Sequence, residues 1–297
     1  MRRFAAFFSV GLFSQRRLSF TGLFMVLFLL LTVSCGSRPE KSAPTSGLRV
    51  VSLMPNVTAI LFELDAGDML VGATRYCEKP EKAKMIPRVG GILDVSVEAL
   101  AAVKPDLVIG SPVILRGRLT DILGEAGVRF LPLEFEDIED VRAGILKIGD
   151  AVGRHEKAVS KVADMDRALL ALAGSVPSVR ALFVVGSKPL VVASVSSFQG
   201  QLMQAMGLKN VVDSEKVRFP TWSFEQVIKA APDVIIDGIV RGEPSAALLA
   251  GAGIKAPIVS IPDDSILLPG PGAIEGAARL AAEIRKALAV PARGIPD

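Results

Sequence analysis

The segment SVEALAAVKPDLVI (Ser96–Ile109) returns without a gap as SFEQVIKAAPDVII (Ser223–Ile236), 127 positions further along the chain. Ser, Glu, Pro, Asp and the final Ile are identical, and the apolar positions largely match. In each copy the Ser is placed to cap a helix N-terminus. The Glu follows in the first turn, where the helix dipole favours an anion. Val95 with Leu100, and Trp222 with Val227, have hydrophobic-staple spacing. Pro-Asp then ends the helix, and the apolar run after it reads as a buried strand. A helix–strand unit recurring at this distance predicts two similar lobes related by a pseudo-twofold axis.

Around the first copy, strands are predicted at 49–53, 70–73, 107–109 and 128–131, with helices near 57–64, 97–103 and 119–125. Around the second, strands are predicted at 181–185, 190–193, 234–236 and 257–260, with helices at 199–206, 224–230, 245–249 and 273–288. The fold class is therefore α/β, with two Rossmann-like lobes at 48–136 and 175–297 and a ligand cleft between them. In the intervening segment Ile138, Val141, Ile145, Ile148, Val152, Val159, Val162, Met165 and Leu169 recur at spacings of three, four and seven. One apolar stripe of this kind predicts one long interdomain helix within 137–174, about 50 Å in length. Gly174-Ser175-Val176-Pro177 closes it. His155 falls off the stripe and is assigned to the surface. GPGAIEG (Gly270–Gly276) echoes a dinucleotide-binding loop but lacks a preceding strand and turn, so it reads as a turn and helix start.

The net charge of +3 belongs to the first 34 residues, which hold Arg2, Arg3, Arg16 and Arg17 and no acid. The remainder has 34 − 4 = 30 basic against 31 acidic residues, which gives no support for nucleic-acid binding. Arginines before an apolar run (Leu23–Leu31) and then Thr32-Val33-Ser34-Cys35 resemble a lipoprotein signal peptide over 1–34. Cleavage before Cys35 and acylation of its thiol are the expectation, and an uncleaved anchor helix is the alternative. Both put the body outside the cytoplasm, on the periplasmic or cell-surface side. Residues 35–47 are polar, with Pro, Ser and Gly, and read as a flexible tether. With Cys35 lipidated, the only other cysteine, Cys77, has no partner. One His and one Cys are too few for an ordinary zinc site. Neither a Walker loop nor a G-x-S-x-G elbow occurs, so the chain is not read as an enzyme and no resident cofactor is expected.

Ligands of open α/β lobes bind beyond the carboxyl ends of the strands. The only Tyr (Tyr76) and the only Trp (Trp222) fall in loops of that kind, one per lobe. Two flat amphipathic rings suit a large, partly apolar ligand. On the other reading Trp222 is merely the staple and Tyr76 a packed loop residue. Arg75 and Arg218 flank these loops, with Phe219 beside Arg218. The arginines either grip ligand carboxylates or phosphates or are plain surface charges.

The run RVVSLMPNVTAILFELDAGDMLVGATRYCEKPEKAKMIPRVGGILDVSVEALAAVKPDLVIG (Arg49–Gly110) closely resembles the class III periplasmic solute-binding domain for cobalamin and ferric siderophores, and the resemblance covers nearly all of 48–288. Tyr76–Pro80 followed by PRVGG (Pro87–Gly91) looks most like the cobalamin-binding branch. That likeness implies a rigid interdomain helix and capture of a cobalamin-like corrinoid, with a ferric-siderophore or haem receptor as the alternative. It implies delivery to the permease dimer of an ABC importer, whose ATPase subunits lie on the cytoplasmic side. By the same likeness Tyr76 and Trp222 line the cleft, with Arg75, Arg218 and Phe219 beside them, and Glu98 and Glu225 dock onto the permease. An extracytoplasmic enzyme on this scaffold, or a structural lipoprotein with an empty cleft, are the readings from other classes.

Overall fold

The structure, a computed structural model, describes residues 47–115, 118–240, 244–261 and 263–289. The expected signal peptide, Cys35 and all but the end of the tether lie outside the described residues. In the first lobe β1 (Val50–Ser52), α1 (Pro55–Glu63), β2 (Leu70–Ala73), α2 (Val97–Ala102), β3 (Leu107–Gly110), α3 (Arg118–Glu125) and β4 (Arg129–Pro132) follow in order. Their sheet is wholly parallel, in the order β2-β1-β3-β4. β1 and β3 are buried along their whole length, as central strands of a parallel sheet must be.

Two helices, α4 (Ile138–Ala151) and α5 (His155–Leu172), lead to the second lobe. There β5 (Arg180–Ser187), β6 (Leu190–Val192), α6 (Phe198–Met206), β7 (Lys209–Asn210), α7 (Phe224–Ala230), β8 (Val234–Asp237), α8 (Ser245–Gly251), β9 (Ile258–Ser260) and α9 (Pro271–Ala289) follow. The second sheet has the order β6-β5-β8-β9, with β7 paired to the start of β5. β6 is antiparallel to β5, because two residues join them and a parallel crossover needs far more chain.

The repeat is reproduced down to single hydrogen bonds. Ser96 accepts from the Ala99 N–H, and Ser223 accepts from the Gln226 N–H in a complete capping box. Asp106 and Asp233, of the two Pro-Asp pairs, accept from the backbone N–H of Arg49 and Arg180, at 2.9 and 2.7 Å. Those arginines open β1 and β5, and their side chains reach back to carbonyls at the end of the repeat helix, Val103 and Ala230.

The interdomain element differs from the expectation. Residues 137–174 form not one helix but an antiparallel hairpin, which turns at Gly153 in the left-handed region (φ 68°). Arg142 of α4 pairs with Asp166 of α5 at 2.7 Å, and Gly149 lies hard against Ala158, which fixes the fold-back. Of the second half of the stripe, Val162, Met165 and Leu169 pack on the core as expected, but Ala158 takes the place of Val159. Ala158, Met165 and Leu172 are buried, whereas Val159 is 47 % exposed. Each helix buries its own face with nearly the same period, so the one-dimensional pattern runs on through a reversal of direction. One apolar cluster then spans the whole body, from Ile60 and Leu64 through Ile145, Ile148 and Met165 to Leu202, Leu280 and Ile284.

Candidate functional site

Loops leaving the carboxyl ends of the first sheet reach across to the second lobe. Asn56, after β1, donates to the Pro269 carbonyl at 3.1 Å, and Lys79, after β2, pairs with Asp264, after β9. At the opposite edge Glu136, after β4, pairs with Arg218 at 2.7 Å. The Arg218 segment runs beside β6, where the Val192 N–H donates to Pro220 and the Ser194 N–H to Arg218. The outer strand β2 is thus tied to the β9 side and the outer strand β4 to the β6 side. A pseudo-twofold produces that crossed pairing. The candidate cleft lies between these ties, where both sheets change strand order. Exposed apolar side chains on segments that follow strands include Tyr76 after β2, Val113 after β3 and Val240 after β8, with Val217 and Phe219 on the segment beside β6.

The Tyr76 loop is built from both ends. The Arg88 guanidinium donates to the carbonyls of Thr74 and Cys77, each at 3.0 Å. Inside that turn the Thr74 hydroxyl meets the buried Cys77 thiol at 3.2 Å. Cys77 therefore packs the loop, and Tyr76 between these anchors stays 46 % exposed. The Arg75 guanidinium lies 5.9 Å from the Tyr76 ring centroid and pairs with Asp94 at 2.6 Å. Asp94 first and Tyr76 second hold the Arg75 pKa above its ordinary value.

Trp222 and Phe219, both named from the sequence, differ in exposure. Trp222 is half-buried on the second-lobe cluster that includes Leu190 and Val227, and its backbone N–H donates to the Leu190 carbonyl. It is the staple residue. Phe219, three positions earlier, is the exposed ring of that segment at 46 %. Arg218 is held by Glu136, and its Nε is buried without a partner among the described residues. Both predicted arginines are therefore already paired to carboxylates of the chain itself.

Glu98 and Glu225 are fully exposed in the first turns of α2 and α7, one per lobe. The Glu98 pKa is lowered by its own backbone N–H and then by the Ser96 hydroxyl; that of Glu225 by the Ser223 hydroxyl and then its own N–H. Sequence reasoning missed Asp94, Glu136, Lys79, Asp264 and Arg88. The first four pair across gaps of 19 to 185 residues, which no local pattern records. Arg88 lies within the PRVGG run and was visible only as part of a motif.

A family model described as "Periplasmic binding protein" matches residues 50–239. The vitamin B12-binding protein of Pectobacterium carotovorum is 23 % identical over 249 residues, 80 % of this chain and 88 % of that one. The vitamin B12-binding protein of Yersinia pseudotuberculosis is 27 % identical over 216 residues, 70 % of this chain and 74 % of that one. Among solved structures, the periplasmic vitamin B12-binding protein of Vibrio cholerae superposes with TM-score 0.66 at 20 % identity, covering 82 % of this chain and 98 % of its own. The periplasmic heme-binding protein of the same organism gives TM-score 0.70 at 21 % identity, covering 82 % and 100 %. Both structural likenesses speak to the two-lobed fold.

Proposed function

The chain belongs to the periplasmic binding protein family, and on that premise we propose that it captures a cobalamin-like corrinoid outside the cytoplasm and delivers it to an ABC importer. Members of this family bind solutes and are not enzymes. The observation that carries the reading is the pair of half-exposed rings, Tyr76 and Phe219, on loops of opposite lobes beside a cleft whose arginines are internally neutralised. A broad, partly apolar macrocycle of low charge matches that lining. Relatives named vitamin B12-binding protein, aligned over most of the chain, support it.

Glu98 and Glu225 are the docking carboxylates in this reading, one for each permease subunit. Two exposed acids related by a pseudo-twofold suit a dimer with two identical basic sites. Acylation of Cys35 tethers the receptor at the membrane, as the Thr32–Cys35 sequence supports. The second reading is haem. Tyr76 supplies a half-exposed phenol, the kind of group that would ligate haem iron.

Fluorescence of Trp222, three residues from Phe219, tests the assignment. Saturable quenching by cyanocobalamin at micromolar or lower concentration, weakened at least about tenfold in Tyr76→Ala, is expected. Saturation by haemin or a ferric hydroxamate siderophore but not by cyanocobalamin moves the assignment to the alternative.

A further inference from the structure

Two guanidinium groups stand beside the cleft, and neither is free. Arg75 is closed off by Asp94 at 2.6 Å in the first lobe, and Arg218 by Glu136 at 2.7 Å across the lobe boundary. The first arrangement is sterically built. A Cβ at Gly91 would lie 2.0 Å from Asp94 Oδ1 and 3.0 Å from Arg75 Nη1, so a glycine there is what lets the carboxylate reach the guanidinium. The second draws its carboxylate from the other lobe, from the last loop before α4.

We propose that Asp94 and Glu136 are specificity-determining residues, which neutralise Arg75 and Arg218 so that neither cation favours a ligand carboxylate over a neutral group. The inference rests on the tetrapyrrole reading above and deepens it. A ligand carboxylate entering this cleft must either displace an equivalent carboxylate, an exchange that yields no net ion pair, or share the guanidinium with it against their mutual repulsion. It also brings its own charge close to Asp94 or Glu136. A corrinoid periphery carries neutral amides, which meet neither cost, whereas haem carries two propionates. The masking carboxylates therefore select for amide-bearing and against acid-bearing macrocycles. They act through the arginines and need not touch the ligand.

The experiment compares haemin with its dimethyl ester, alongside cyanocobalamin, by calorimetric titration of the purified protein at low salt. The variants are Asp94→Asn, Glu136→Gln and the double variant Glu136→Gln/Arg218→Gln. In the unaltered protein the ester should bind more tightly than the acid. Each freed arginine should then raise the haemin-to-ester affinity ratio by up to about fivefold, the scale of a partly exposed ion pair. Removing Arg218 as well should return the Glu136→Gln ratio to its starting value. A purely structural role for either acid would shift both ligands together and leave the ratio alone. An unchanged ratio in both single variants, or a rise that survives loss of Arg218, overturns the inference while bound cyanocobalamin leaves the functional reading standing. Binding of none of the three ligands by any form overturns both.

Discussion

Gly91 shows how one missing side chain sets the electrostatics of the site. The methyl group of an alanine there would first meet the end of the Asp94 side chain and the tip of Arg75, both of which can swing into solvent. Gly91→Ala should therefore break the Arg75–Asp94 pair with little loss of stability, as expected for an exposed ion pair. Urea unfolding measures that cost, and a loss above about 2 kcal/mol would mean that the backbone itself is displaced. Tyr76 and Trp222 were conspicuous in the sequence as single aromatics, and the structure separates them. Trp222 is drawn onto Leu190 and Val227 because it precedes the Ser223 cap, the place where a staple residue packs. Phe219 has no such partner among the buried residues and keeps its ring in solvent.

At the scale of elements, strands and short helices emerged within a residue or two of their observed ends, since each is specified by local periodicity and caps. The exceptions are the two-residue strand β7, which was not predicted, and the helical hairpin α4–α5. Gly153 was present in the sequence, but the run of Val and Ile spaced by three and four on both sides concealed its meaning. Burial distinguishes the two registers: Ala158 is fully buried and Val159 about half-exposed. Val159→Lys should change stability by no more than about 0.5 kcal/mol. Ala158→Lys, which places a charge in the contact between α5 and Gly149 of α4, should cost at least about 3 kcal/mol. A continuous helix with the original stripe predicts the opposite order, and chemical denaturation of the two variants separates the alternatives.

For the whole molecule, the shared core matters more than the connection. Residues of both lobes and of α4–α5 pack into one apolar cluster, so wide opening would expose Ile145, Ile148 and Met165 to water. Relative motion of the lobes is thereby limited to what the cross-lobe loops can absorb. A body of fixed shape presents Glu98 and Glu225 at a constant separation. Replacing either by Ala should reduce ligand uptake several-fold, and replacing both should abolish it, while ligand affinity in solution stays unchanged. Both pKa values lie below the ordinary 4.5, so each carboxylate remains charged as the pH falls toward that value. Docking should accordingly hold constant from pH 7 to about pH 5. The stability each contributes is present above its unfolded-state pKa and is lost only as pH falls through the depressed native value. Loss of docking near pH 6 would assign the contact to other groups.

From the sequence alone came the two lobes, their pseudo-symmetry, the caps and the loop that bears Tyr76. All of these depend on residues within about fifteen positions of one another or on a repeat that can be aligned by eye. Only the tertiary structure decided the direction of the chain after Gly153 and which ring of the 218–222 segment stays exposed. It alone revealed that Arg75 and Arg218 are already paired. The reason is physical: an ion pair such as Arg218–Glu136 joins residues that approach only after two sheets have formed and turned toward each other. Periodicity describes a single helix or strand, and it carries no term for what lies across a cleft.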